Sequence, residues 1–186
     1  RETVFLDYTQ DELNWQYDHS KRFEDTSVFT AARMKESARV RALIKGRLNV
    51  AYGRGEDEVL DIFPAERDNA PIVVFIHGGA WIRGHKDNAS YLAENLVPAG
   101  ITYIATNFSC IPKVTLDEMV RQNRAALAWV YQNAASFGGD PNRIHVTGHS
   151  SGGHLSGMML VTDWEQDYGL PRDLIKGASC FSGMYH

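Results

Sequence analysis

From residue 72 to its end the chain alternates strand-like and helix-like segments, and no other feature narrows the available folds as far. "PIVVFIHGG" carries a continuous β-branched and aromatic run at 72–76, the pattern of a strand covered on both faces. A helix is expected over 87–99, and "ITYIATNF" reads as a second buried strand. Thr115 opens a long helix. With Glu118 three residues on it forms a capping box, and Val114 can staple onto Met119. Leu116, Met119, Val120, Leu127, Val130, Tyr131 and Ala134 fall on one apolar stripe. Gly138 and Gly139 stop that helix, with Pro141 just beyond. "RIHVTG" is then a strand, 151–161 a helix and "KGASCFSGM" a last strand. Such alternation implies an α/β fold, a mostly parallel sheet with helices on both faces. Upstream, the runs at 48–52 and 59–63 flank a turn with Gly53 and Gly55, so an N-terminal antiparallel hairpin is expected at the sheet edge. Residues 46–186 form the α/β unit. Residues 1–45, charged and aromatic, are expected to be a helical arm or cap, whose aromatics Tyr8, Trp15, Tyr17 and Phe23 serve a pocket, a core or an interface.

Composition excludes several functions. With 44% hydrophobic and 23% charged residues the chain can build one domain with a core. A net charge of −4 leaves no footprint for nucleic acid. No segment approaches the roughly 20 apolar residues of a membrane helix, and no signal-peptide pattern opens the sequence, so no membrane role is expected. The first residue is Arg1, not Met, so the true N-terminus is expected upstream. Cys110 and Cys180 match no metal or redox spacing. They read as free thiols in a reducing, cytoplasmic compartment.

Two glycine-rich turns carry the chemistry. "GHSSG", 148–152, fits G-x-S-x-G with Ser150 at its centre, between a strand and an apolar helix. A serine on a turn this sharp is held in a strained backbone, and its neighbours two residues away on either side come too close for side chains. The turn lifts the hydroxyl off the sheet, and the new helix aims its N-terminal amides beside it. "HGGAW", 77–81, ends the buried strand at 72–76. Its glycines let main-chain amides face outward at the same sheet edge, where they can hold an oxyanion together with the amide of Ser151.

With both turns in place the chain resembles the α/β-hydrolase superfamily, and within it the kynurenine formamidase (arylformamidase) group and its esterase relatives. The resemblance rests on "HGGAW", "TLDEMVRQ" at 115–122, "AALAWVYQNAASFGGDPNRIHVTGHSSGGHL" at 125–155 and "IKGASCFSGMY" at 175–185. It covers roughly residues 45–186, the N-terminal portion of such a domain, with the C-terminal strands not in this sequence. It implies that Ser150 is the nucleophile and that Gly78, Gly79 and Ser151 line the oxyanion hole, with the Ala80 amide as a substitute. Trp81 helps wall the substrate pocket. His149 is placed in the same pocket set, although its position next to Ser150 turns its side chain from the nucleophile's face. The implied reaction attacks a small amide or ester through an acyl-enzyme, with no metal and no organic cofactor. A carboxylesterase and a non-catalytic ligand-binding protein of the same fold are the alternatives. Ser151 stands where such relatives usually have Ala, His186 where they usually carry Asp, and "FSCIPK" at 108–113 replaces the usual "YRLAPE", which alters the pocket floor.

A serine hydroxyl needs a base, and in this superfamily the order is Ser, acid, His. The acid and the His are therefore expected beyond residue 186. Of the histidines present, His77 reads as scaffold and His145 as a strand residue. His154 packs on its helix or faces solvent, and His85 lies in a loop near the pocket. His186, oriented by Asp163, Asp167 or Asp173, is a disfavoured substitute. Stopping after the last strand leaves an exposed parallel edge, an aggregation hazard. A C-terminal segment or second chain is thus expected to complete the fold, and a homo-oligomer stays open.

Overall fold

The computed structural model describes residues 2–18, 25 and 27–185. Phe23 and His186 lie outside the described residues. Six strands form one sheet in the order β1-β2-β4-β3-β5-β6. They are β1 (Arg47–Ala51), β2 (Val59–Phe63), β3 (Ala70–Ile76), β4 (Thr102–Thr106), β5 (Gly139–His149) and β6 (Ile175–Phe181). β1 pairs antiparallel with β2, and β2 antiparallel with β4. The remaining pairs, β4–β3, β3–β5 and β5–β6, are parallel. The expected hairpin and parallel core are both present.

Helices cover the two faces unequally. On one side α4 (Leu116–Asn133) and α5 (Ser151–Leu160) pack Met119, Leu127, Val130, Leu155 and Met159 against Ile62, Ile72, Val74, Ile104 and Val146. On the other side Val40 of α2 (Ser27–Leu43) and Ala93 of α3 (Ala93–Leu96) meet Phe63, Tyr103 and Ala105. This second layer covers β2 and β4, and every residue of β4 is buried. It does not extend over β5 and β6. Thr147 and His145 are half-buried there, and Ser179 and Phe181 exposed. α1 (Gln10–Tyr17) buries none of its residues and carries a capping box at Thr9 and Glu12. Tyr8, Trp15 and Tyr17 are exposed in this arm.

Several local expectations are corrected. The helix at 87–99 is two short 3-10 turns, Lys86–Asn88 and Ser90–Leu92, followed by the four-residue α3. Tertiary ties override helical periodicity here: Lys86 is drawn inward, and the Tyr91 N–H donates to Ser37 Oγ of α2. The capping box at Thr115 forms by half. Thr115 Oγ accepts the Glu118 N–H at 3.3 Å, whereas the Glu118 carboxylate turns to Arg121 and Gln122. Leu116 lies partly exposed at the end of the apolar stripe. The last strand ends at Phe181, and a short helix α6 (Trp164–Tyr168), capped by Asp163, precedes it.

Candidate active site

β5 runs straight into α5 through one residue. Ser150 has φ 58° and ψ −125°, a conformation that costs a non-glycine residue about 1–3 kcal/mol and needs surroundings that hold it. The Ser150 N–H donates to the Phe181 carbonyl of β6 at 2.8 Å, and its carbonyl accepts the His154 N–H at 3.1 Å. The glycines are required by space. A Cβ on Gly148 would lie 2.3 Å from the Gly152 carbonyl oxygen, and one on Gly152 would lie 2.1 Å from that of Ile76. Ser150 is half-buried, and its hydroxyl has no hydrogen-bond partner among the described residues. Ser151 is buried behind it.

The loop 77–85 leaves β3 beside this turn. A Cβ on Gly78 would stand 2.3 Å from the His149 carbonyl oxygen and 3.4 Å from Ser150 Cβ, so the two turns touch through main chain. Gly79, Ala80, Trp81 and Gly84 all have positive φ, at 138°, 53°, 62° and 119°. The Gly79 carbonyl accepts from Ile82 and Arg83, both at 3.1 Å, which closes the loop on itself. The amides of Gly79, Ala80 and Ser151 donate to no acceptor among the described residues. Donors left free beside a serine hydroxyl are what an oxyanion requires.

His77 is the loop's buried footing. It stacks on Phe108 at 4.2 Å and 8°, and its Nδ1 lies 3.1 Å from the Gly78 carbonyl. A carbonyl only accepts, so the proton sits on Nδ1. Burial pushes the His77 pKa down to about 4, and the ring is neutral near pH 7. Trp81 is half-buried, with its indole N–H 3.4 Å from His154 Nδ1 and the rings edge-to-face at 5.5 Å. Tyr185 packs beyond His154 and donates its hydroxyl to the Gly153 carbonyl at 2.7 Å. Burial lowers the His154 pKa. The 108–113 segment reaches this wall through the Ile111 N–H, which donates to the Trp81 carbonyl at 2.9 Å.

The structure therefore gathers Gly78, Gly79, Trp81, Ser150 and Ser151 at one end of the parallel strands. His149 is exposed at the end of β5, opposite Phe181. His85 is exposed, its Nδ1 accepting the Asp87 N–H. His145 lies mid-strand against Gly177. Asp163 caps α6, and Asp173 pairs with Lys176. No described side chain is placed to take the Ser150 proton. Sequence reading missed Tyr185 as a partner of His154, and it missed the buried ion cluster of Asp61 and Lys86. An aspartate inside the apolar run "VLDIF" was the available signal for the cluster.

Strand order, elbow and adjacent glycine turn together define an α/β-hydrolase. The match to known proteins is more specific: the chain belongs to the BD-FAE family, whose model fits residues 60–174. It is 34% identical over 187 residues to a kynurenine formamidase of Salmo salar, an alignment covering 96% of this chain and 62% of that protein. The chain thus spans under two thirds of that relative's length. It is also 39% identical over 97 residues to the carboxylesterase NlhH of Mycobacterium tuberculosis, covering 52% of this chain and 30% of that one. Esterase B from Lactobacillus rhamnosis shares the fold, with a TM-score of 0.63 at 23% identity over 85% of this chain and 53% of that chain. No helix among the described residues is long and apolar enough to cross a membrane.

Proposed function

We propose that this chain carries the nucleophile and oxyanion donors of a serine hydrolase that cleaves a small amide or ester, with an N-formyl arylamine as the favoured substrate class. The observation that carries the reading is the contact between the two turns: Gly78 packs against His149 and Ser150, with unpartnered amides at Gly79, Ala80 and Ser151 around the strained serine. Ser150 Oγ attacks the carbonyl carbon, and its proton passes to a base. The oxyanion is held by the amides of Ser151 and of Gly78 or Gly79, with Ala80 as the further donor. The amine or alcohol leaves with a proton, and water then hydrolyses the acyl-enzyme. Trp81, backed by His154, walls the pocket, and His149 lies at its margin.

The acid and base belong to chain beyond residue 186 or to a second polypeptide, which also covers β6. The unpaired Cys110 and Cys180 suit a reducing, cytoplasmic setting. The test uses the complete protein with a fluorophosphonate probe and adduct mapping. Labelling at Ser150 is expected, and it is expected to vanish in Ser150→Ala. No labelling leaves a ligand-binding protein of the same fold. The likeness to a carboxylesterase favours a second reading. Comparing kcat/KM on N-formyl anilides and short aryl esters separates the two, with preference for the anilides expected.

A further inference from the structure

The loop 77–85 holds four residues at positive φ, and besides its internal bonds to the Gly79 carbonyl it is held at Trp81, by the Ile111 N–H and His154, and at its downstream end. Its downstream end is fixed by a buried cation. Lys86 is fully buried, and its ammonium meets Asn49 Oδ1 at 2.7 Å, Asp61 Oδ1 at 2.8 Å and Asp87 Oδ1 at 2.8 Å. Those three contacts use all the donors an ammonium has. Asp61, equally buried in the middle of β2, also accepts the Asn49 N–H at 2.8 Å and the Arg41 guanidinium of α2. Arg41 in turn reaches Asp87 at 2.7 Å. Two cations and two carboxylates thus balance, and they join β1, β2 and α2 to the end of the loop. The Lys86 main-chain N–H adds a bond to Asn107 Oδ1, just past β4, at 3.3 Å.

Buried ion pairs are often no better for stability than apolar residues of the same shape, so stability alone does not account for this cluster. Geometry does, because a buried ammonium with three fixed acceptors, together with the main-chain bond to Asn107, narrows the positions open to the Lys86 backbone. We propose that Lys86 is a positioning residue. Clamped by Asn49, Asp61 and Asp87, it sets the conformation of 77–85 and so the aim of the Gly79 and Ala80 amides at the carbonyl that Ser150 attacks. The proposal rests on the serine-hydrolase reading above.

The test compares wild type, Lys86→Met and Lys86→Met/Asp61→Leu in the complete protein. The readouts are kcat and KM on an aryl ester, thermal unfolding, and hydrogen exchange of peptides spanning 77–85. Lys86→Met is expected to lower kcat roughly 100-fold with KM changed less than about 3-fold, the signature of a lost transition-state contact. Exchange across 77–85 is expected to rise. The double variant, with both charges gone, is expected to regain the melting temperature but not kcat. It also carries the test if Lys86→Met fails to fold. Recovery of kcat together with stability overturns the proposal, as does unchanged exchange across 77–85. If the wild-type protein neither turns over ester nor labels at Ser150, the hydrolase reading fails, and exchange still decides whether Lys86 sets the loop.

Discussion

The two halves of the sheet are built to different standards of closure. β4 lies between two helical layers and buries every residue. β6 lies at the edge, backed by α5 on one face, with Ser179 and Phe181 exposed on the other. Leu160, Val161, Met184 and Tyr185 add exposed apolar surface around it. Ser150 stands where these halves meet. Gly78 of the closed half packs against the His149 carbonyl and Ser150 Cβ, and the Ser150 N–H is held by Phe181 of the open half. The difference teaches that the strained serine is supported from both sides, but that only one support is anchored in a finished core.

The comparison can be broken or sharpened by experiment. Ser150→Ala in the complete protein is expected to lower kcat/KM at least ~10⁴-fold while leaving the melting curve nearly unchanged. Activity that survives it removes the reason for treating the boundary as the site. In the closed half, Ile104→Ala is expected to cost about 2–5 kcal/mol of unfolding free energy, measured by denaturant titration, because its side chain is wholly buried. At the loop footing the effect depends on pH. His77 is held near pKa 4 against 6.5 when unfolded, so between those values the unfolded chain binds more protons and stability falls as pH falls. The full loss is about 3 kcal/mol from pH 6.5 down to pH 4, and His77→Gln should flatten that slope. The smallest effect is expected in the open half: Phe181→Ala, 61% exposed, should shift the stability of this 186-residue chain by no more than about 0.5 kcal/mol. In a longer protein whose further chain covers β6, the same substitution should cost about 3 kcal/mol or more. Equal, small effects in both would mean that β6 stays uncovered.

What could be read from the sequence follows the range of the forces involved. β3, β4, α4 and the elbow were legible because each is written in adjacent residues: a β-branched run, an apolar stripe, glycines two positions from a serine. The touching of the two glycine turns was legible only through their shared strand edge. The segment 86–96 was misread as one helix because its conformation is decided by Asn49, Asp61, Ser37 and Asn107, which come from distant parts of the chain. The helix α2 was read only as an unplaced part of the helical arm at 1–45, for a similar reason. It buries only Ser37 and Val40, so it shows little apolar period, and its placement depends on the ends of other elements. No side chain among the described residues is placed to take a proton from Ser150, and the superfamily's residue order let the sequence reading go no further than to expect one after the last strand.

The meeting of the two turns is made almost wholly of main-chain atoms: Gly78 on the His149 carbonyl, Gly152 on Ile76 and His77. Replacing side chains at the rim, such as Trp81, Ile82 or Tyr185, therefore leaves the reacting frame in register. On the proposed hydrolase reading, preference for a new leaving group can then drift by single substitutions, while the distance between the Ser150 hydroxyl and the neighbouring amides stays where the backbone put it.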